Sequence, residues 1–517
     1  MNAAIRWSTV LALSLTAWGA PPLEELKSEA LAMIDQRRVF TQRMVDSIYS
    51  FSELGFQEFE TAAYVTALLE KEGFQVTRGV ADMPTAFVAT WGSGKPVIGF
   101  MADIDGLPET SQKPGVAYHA PLIENGPGHG EGHNAGQAVN VTAAIVVKQL
   151  LEKYKLPGTV RVYPGVAEEL LASRTYMINA GLLKDVDAML SAHISSEFNT
   201  SWGDRGSGLV STQYTFHGQS AHGAGSPWMG RSALDAVELM NVGWNFRREH
   251  LRPEHRSHYV IVHGGDQPNV VPPVATVWYF FREWEYERIR DLHAIGTRIA
   301  EAAAQMTDTK MTQRVLGAAW PGHYNRPMAE AMHANIRRVG LPQWSEADET
   351  LARAVQREMK GAEGGLSKEI RDVHASPGMT GGAGSDDIAE VAWNMPTIVL
   401  NYPGNIPGTI GHHWSSGIAM ATPIAHKGAT AGAKAQALTA LDLLARPDLM
   451  QQARAYFAEQ TKDRKWQSLI PVETKAPIEL NRERMERVKG QLQKLRYDPE
   501  RYATYLDQLG IQYPTVR

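Results

Sequence analysis

Short runs rich in β-branched or small residues, at about 86–90, 96–102, 159–163 and 188–192, alternate with helical stretches at 139–154 and 173–180. This alternation leaves few folds open. Strands joined by helical crossovers lie side by side in one direction, with helices on both faces of the sheet, so the sequence predicts an α/β class with a mainly parallel sheet. Ahead of the sheet, Met44, Ile48 and Phe51, and then Ala63, Val65, Leu68 and Leu69, recur at helical spacing and predict two helices.

The pattern changes near Gly208. Residues 209–217 alternate like a half-exposed strand, 232–248 read as a helix, 259–263 and 276–283 as strands, and 285–306 as a long helix. That predicts an inserted α+β unit with a four-stranded sheet and two helices. The first pattern resumes near Trp320 and includes a strand at 397–401, after a Gly-rich stretch at 378–384. The expected organisation is therefore a leader at 1–20, a catalytic segment at 21–207, the insertion at 208–319, a second catalytic segment at 320–446 and a helical extension at 447–517. In that extension, interleaved charges at 480–495 read as a solvated face.

Residues 1–20 carry Arg6 as their one charge, an apolar stretch from Val10 to Leu15, and small residues at Ala17 and Gly19. The stretch is too short to span a bilayer and matches a secretory signal cut near Gly19 or Ala20, giving a periplasmic or secreted protein; uncleaved, the chain would be cytoplasmic. No other stretch is apolar for long enough to be a membrane span. Over 517 residues the net charge is −5 and basic residues are scattered, which argues against nucleic acid as a partner. Cysteine is absent. Disulfides, thiolate-bound zinc and a thiol nucleophile are thereby excluded, and any metal must bind through nitrogen and oxygen.

Five stretches combine acids and imidazoles: Asp103-Ile104-Asp105, GHGEGHN at 128–134, Glu168-Glu169, His193, and Gly411-His412-His413. An α/β sheet delivers side chains at the ends of its strands into a cleft, and carboxylate plus imidazole is the ligand set of Zn²⁺ or Mn²⁺. Two such ions can share one carboxylate and activate a water held between them. Glu131 and His133, two residues apart, point the same way if their Gly-bracketed loop is extended. The adjacent Glu168 and Glu169 can divide the work of general base and ligand at a strand end. His129, His413 and His426 read as supporting residues rather than ligands. Trp228, Trp278 and Trp414 could line a cleft, although packing is the plainer expectation for so large an aromatic.

FMADIDGLP (100–108), GPGHGEGHN (126–134), VAEE (166–169), SAH (191–193), GQSAHGAGSPWMGRSALDA (218–236), GGDQPNVVPP (264–273), GSDD (384–387), GTIGHHW (408–414) and PIAHKG (423–428), taken in this order, resemble the M20 family of metallopeptidases and amidohydrolases. The resemblance is to the branch with aminoacylase-like and aminobenzoyl-glutamate hydrolase proteins. It implies a dinuclear-metal hydrolase with His133, Glu169, His193 and His412 as metal ligands and Glu168 as general base. Asp105 would orient a ligand histidine. At position 131 that branch normally has cysteine and the wider family a bridging aspartate; Glu131 keeps the charge and is expected to bridge the ions, with a harder ligand field. The resemblance further implies that the insertion is a lid and dimerisation domain. His222 would stabilise the oxyanion, often in the partner subunit's site, and Asn269 and Arg282 would bind substrate. The expected enzyme cleaves the amide bond of an N-acyl or N-aroyl amino acid, or of a dipeptide, as a homodimer using two Zn or Mn ions. The alternatives are an exopeptidase on short peptides and a non-catalytic binding protein on the same scaffold.

Overall fold

The run Val97–Asp103 is buried at every position, which requires a strand with both faces covered and a neighbour on each side. The computed structural model, which describes residues 21–376 and 384–517, places this strand inside a six-stranded sheet. The expected leader and most of the Gly-rich stretch at 378–384 lie outside the described residues. Across the sheet the order is Gln75–Arg78, Phe87–Ser93, Gly158–Gly165, Val97–Asp103, Ala188–Ser195 and Thr397–Pro403. The last four strands run parallel and the first two join antiparallel at one edge. The sheet is thus mainly parallel, as the alternation of strand and helix predicts.

Two long helices, His133–Tyr154 and Pro423–Ala445, pack on each other and on this sheet. They can lie close because the second is rich in alanine and glycine; a Cβ on Gly428 would come within 2.3 Å of the Pro403 carbonyl oxygen. Helices Leu23–Gln36 and Arg38–Phe51 cover the pair from outside. Arg38–Phe51 and Phe59–Lys71 are the two helices the sequence predicts before the sheet; Leu23–Gln36 precedes them as a third, and the edge strand Gln75–Arg78 that follows them was unforeseen. That strand has one half-buried residue and no apolar alternation, so its pairing with Phe87–Ser93 left no periodic trace.

The inserted segment forms a separate antiparallel sheet, ordered Lys310–Ala319, Gly208–His217, Val274–Glu283 and Arg256–His263. Helices Ala233–Arg248 and Tyr286–Met306 pack on it around Tyr214, Phe216, Trp244, Tyr279 and Phe281. Strict alternation of burial along Val274–Glu283 is the mark of a sheet covered on one face. The first of the two helices starts where expected because Ser232 caps it, accepting from the Asp235 amide. Between the two sheets a short strand, Ser201–Arg205, pairs with Gly322–Tyr324 and His374–Ala375.

The C-terminal region corrects the expectation of a merely solvated extension. The charged face of Arg482–Leu495 is exposed, as its interleaved charges imply. The rest is stitched to the body: the Tyr505 amide donates to Asp46, Gln57 donates to the carbonyls of Ile478 and Leu480, and Thr515 exchanges backbone hydrogen bonds with Gly115 and Ala117. Among the described residues no helix is long and apolar enough to cross a membrane.

Candidate metal centre

The acids and imidazoles gather at the carboxyl ends of the parallel strands, where an α/β sheet opens its crevice. Asp103 is the last residue of Val97–Asp103, His193 lies within Ala188–Ser195, and Glu168 and Glu169 follow Gly158–Gly165 in a tight turn. That turn is entered through Ala167, a non-glycine residue at φ 53°. His412, at φ 55°, comes from the loop after Thr397–Pro403. Left-handed backbone at two non-glycine positions beside the same cleft is strain held in place by the surrounding packing.

Glu131 and His133 do converge, but not through an extended loop. Gly132 adopts φ 68° and caps the helix that begins at His133, so a sharp turn rather than strand alternation brings the two side chains together. A Cβ on Gly132 would lie 2.6 Å from Ile194 Cδ1, so a larger residue there would have to displace Ile194 and Met420 as well as take up strained left-handed backbone.

Ligand atoms of Glu131, His133 and His193 lie within 4.8 Å of one another, and so do those of Glu131, Glu169 and His412. Glu131 Oε1 is 2.9 Å from His412 Nε2, and its Oε2 is 3.5 Å from His193 Nε2. Glu169 Oε2 is 3.5 Å from His412 Nε2. His133 turns Nδ1 to the Asp105 carbonyl oxygen at 2.9 Å, which fixes that nitrogen as the donor and aims Nε2 into the cleft. The Asp105 carboxylate accepts from the Glu169 amide at 3.1 Å, so one residue orients both a histidine and a glutamate of the cluster. Glu168 Oε2 stands 3.8 Å from His133 Nε2 and borders the same cavity, about 380 Å³ in volume.

These groups fit a pair of divalent cations. Among the described residues the buried His133 Nε2 and Glu169 Oε1 have no hydrogen-bond partner, although burial makes an unpaired polar atom costly. Burial, reinforced by the Glu131 charge, pushes Glu169 up to about 8. Burial, with Asp386, Asp103 and Glu169 as neighbours, raises Glu168 well above the usual carboxylate range. Burial alone would raise Glu131 too, but the imidazoles of His193 and His412 outweigh it and hold the carboxyl low. Carboxylates crowded against imidazoles in this way are relieved by added positive charge. The donor set, all oxygen and nitrogen, suits first-row ions.

Arg174, which gave no signal in the sequence, lies fully buried beneath the site. Its guanidinium pairs with Asp103, Asp386 and Asp387, and its Nε lies 3.1 Å from Met101 Sδ. Asp387 also accepts from the Ser173 and Arg174 amides. The GSDD segment thus reaches the centre both through this arginine and directly, because Asp386 borders the cavity and ligand atoms of Asp386, Asp387 and Glu168 lie within 4.8 Å of one another. A buried arginine of this kind needs such acids to offset its desolvation.

Arg282 borders the cavity and donates to Ser385 Oγ at 3.0 Å. His222 and Asn269 do not border it. They sit together on an exposed turn of the inserted unit, where the Gly223 amide donates to the Asn269 carbonyl. His129 is buried with Nε2 on the Ile48 carbonyl, His413 caps a short helix through Ser415, and His426 pairs with Asp46. Trp278 donates to Ser211, Trp414 packs on His119 and His413, and Trp228 is exposed. None of the three tryptophans borders the cavity.

Residues 99–420 match the model of peptidase family M20/M25/M40. The chain is 34% identical to a subunit of the p-aminobenzoyl-glutamate hydrolase of Escherichia coli (strain K12), over 83% of this chain and 94% of that protein. It is 26% identical to the Xaa-Arg dipeptidase of Mus musculus, over 85% and 93%. Among solved structures it resembles an aminobenzoyl-glutamate utilization protein from Klebsiella pneumoniae (TM-score 0.52, 19% identity, 81% of this chain and 97% of that one). A dinuclear metal binding peptidase of the M20 family from Bacillus subtilis gives a TM-score of 0.50 at 19% identity, over 79% and 99%. At these identities the structural likenesses establish the fold.

Proposed function

Because the chain belongs to peptidase family M20/M25/M40, we propose that it is a metal-dependent amidohydrolase cleaving N-acyl or N-aroyl amino acids, with dipeptides as the second substrate class. The observation that carries this reading is the sharing of Glu131 between two donor groups, one with His133 and His193 and one with Glu169 and His412. Glu131 would bridge two Zn or Mn ions and the four others would hold one side each. Such a pair, when bound, polarises a carbonyl and lowers the pKa of a water.

The residues supply the rest. Glu168, beside the cluster but outside both Glu131 groups, takes a proton from the attacking water and returns it to the leaving nitrogen as the C–N bond breaks. Asp105 keeps His133 and Glu169 in register. Arg282 receives the substrate's free carboxylate, with Ser385 steadying the guanidinium. The inserted sheet acts as a lid that excludes water from the cleft.

His222 and Asn269, exposed and away from their own cavity, serve the site of a second copy, which makes the homodimer part of the mechanism. The pairing surface is the edge strand Arg256–His263, where Val260, Ile261 and Val262 are 59, 47 and 51% exposed; an apolar free edge of this kind invites a second chain. Ile261→Asp is expected to give a folded monomer in sedimentation with turnover reduced by roughly 10²- to 10³-fold, the worth of one oxyanion donor. A fully active monomer would remove His222 from the mechanism.

The test of the reading is a panel of N-acyl amino acids, aminobenzoyl-glutamate and dipeptides with Zn²⁺ or Mn²⁺, alongside metal analysis. Turnover abolished by chelator and restored by either ion is the expected result. Hydrolysis indifferent to chelator, or two bound ions without turnover of any amide, sinks it. Similarity to the Xaa-Arg dipeptidase is what keeps the dipeptide arm in the panel.

A further inference from the structure

The turn that carries Glu168 and Glu169 is anchored from outside the metal cluster. Ala167 enters it in left-handed backbone, and its amide donates to Glu58 Oε1 at 2.8 Å, across 109 residues of chain. Thr85 Oγ1 donates to the other oxygen of Glu58 at 2.9 Å, and the side chain is wholly buried. Gly55 closes on the same point: a Cβ there would lie 2.9 Å from Ala167 Cα and 3.2 Å from Asp105 Oδ2, the oxygen that accepts from the Glu169 amide. Segment 53–58 therefore meets both supports of the two glutamates. The segment is itself tied down, since Asn481 donates to the Gly55 carbonyl at 3.1 Å and Gln57 donates to the carbonyls of Ile478 and Leu480.

Glu58 stands immediately before helix Phe59–Lys71, where an acidic side chain ordinarily caps the helix. It makes no cap hydrogen bond. The Glu60 and Thr61 amides of that helix donate to Glu53 instead, which leaves Glu58 to serve the distant turn. Burial, with the Asp105 charge behind it, pushes the Glu58 carboxyl up to about 8. Leucine would fill the same space without the cost of burying an acid, so the acceptor is there for the amide it meets. Without it the Ala167 amide would be buried and unpaired, and the left-handed turn would lose what offsets its strain.

We propose that Glu58 is a positioning residue: by holding the Ala167 amide it fixes the turn in the form that sets Glu168 beside the cluster as base and Glu169 toward His412 as ligand. The inference rests on the amide-hydrolase reading and adds to it a residue outside the segment that matches the family model. Misplacing a reacting group by about 1 Å costs roughly 10²-fold in rate. Loss of a hydrogen bond behind a metal ligand costs about 10- to 100-fold in metal affinity or activity.

The experiment compares Glu58→Gln, which keeps the shape and the acceptor, with Glu58→Leu, which fills the space and removes the acceptor. Hydrogen exchange of the peptide spanning 166–171, with and without Zn²⁺, reads the turn itself: leucine should speed it roughly tenfold, the worth of one buried hydrogen bond, and glutamine little. Glu58→Leu should also lower kcat by roughly 10- to 100-fold with KM little changed, and weaken Zn²⁺ in calorimetry on the same scale, while Glu58→Gln stays near wild type in both. Leucine as harmless as glutamine overturns the inference, and so does glutamine as damaging as leucine. Faster exchange in Glu58→Leu without loss of kcat or Zn²⁺ affinity overturns it as well. Should the leucine variant fail to fold, Thr85→Val, which frees one oxygen of Glu58, takes its place: faster exchange at 166–171 supports the anchor and unchanged exchange refutes it. If the wild type hydrolyses no amide, the hydrolase reading fails while exchange and Zn²⁺ affinity still decide the role of Glu58.

Discussion

Glu168→Gln is expected to lower kcat by roughly 10²- to 10⁴-fold, the usual worth of a positioned general base, while leaving two metal equivalents in place. The carboxylate is buried, borders the cavity and lies 3.8 Å from His133 Nε2, yet it belongs to neither group that shares Glu131. Glutamine keeps its shape and removes its capacity to accept a proton. Metal analysis and steady-state rates on the same preparation separate the two roles. Near-wild-type turnover would show that another group moves the proton; loss of metal together with turnover would make Glu168 a ligand.

Glu131→Ala should be more drastic still, because one side chain serves both halves of the cluster. Bound metal should fall from two equivalents to one or fewer, with activity lost beyond detection, since the remaining donors leave each half with only two residues. Glu131→Cys makes the opposite comparison. A thiolate retains the negative charge but is a softer donor, so this variant should hold two ions and shift its preference from Mn²⁺ toward Zn²⁺. Full activity and full metal in Glu131→Ala would remove the bridging role.

The sequence made the parallel sheet legible because its strands are buried on both faces and read as continuous apolar runs, as Val97–Asp103 does. The acids and imidazoles were legible because no packed core needs so many in so few loops. What the sequence hid follows from geometry at a distance. Gln75–Arg78 pairs at an exposed edge and has no burial pattern to reveal it. Arg174 is a single arginine in a short helix, and only the fold brings three aspartates around it, from positions 71 to 213 residues away. Arg205 and Tyr324 reach the cleft through a strand pairing between segments more than a hundred residues apart. The turn at Gly132 was partly legible: glycine at that position suggests freedom for a loop, whereas its left-handed backbone starts a helix.

A carboxylate at position 131 settles how the cluster meets a hostile chemical environment. The chain contains no thiol at any position, so alkylating reagents and peroxide find no sulfhydryl to modify. Glu131, held between His193 and His412, neither climbs an oxidation ladder nor exchanges with disulfides. The cluster is thus built from side chains whose donor capacity does not depend on the redox poise of its surroundings.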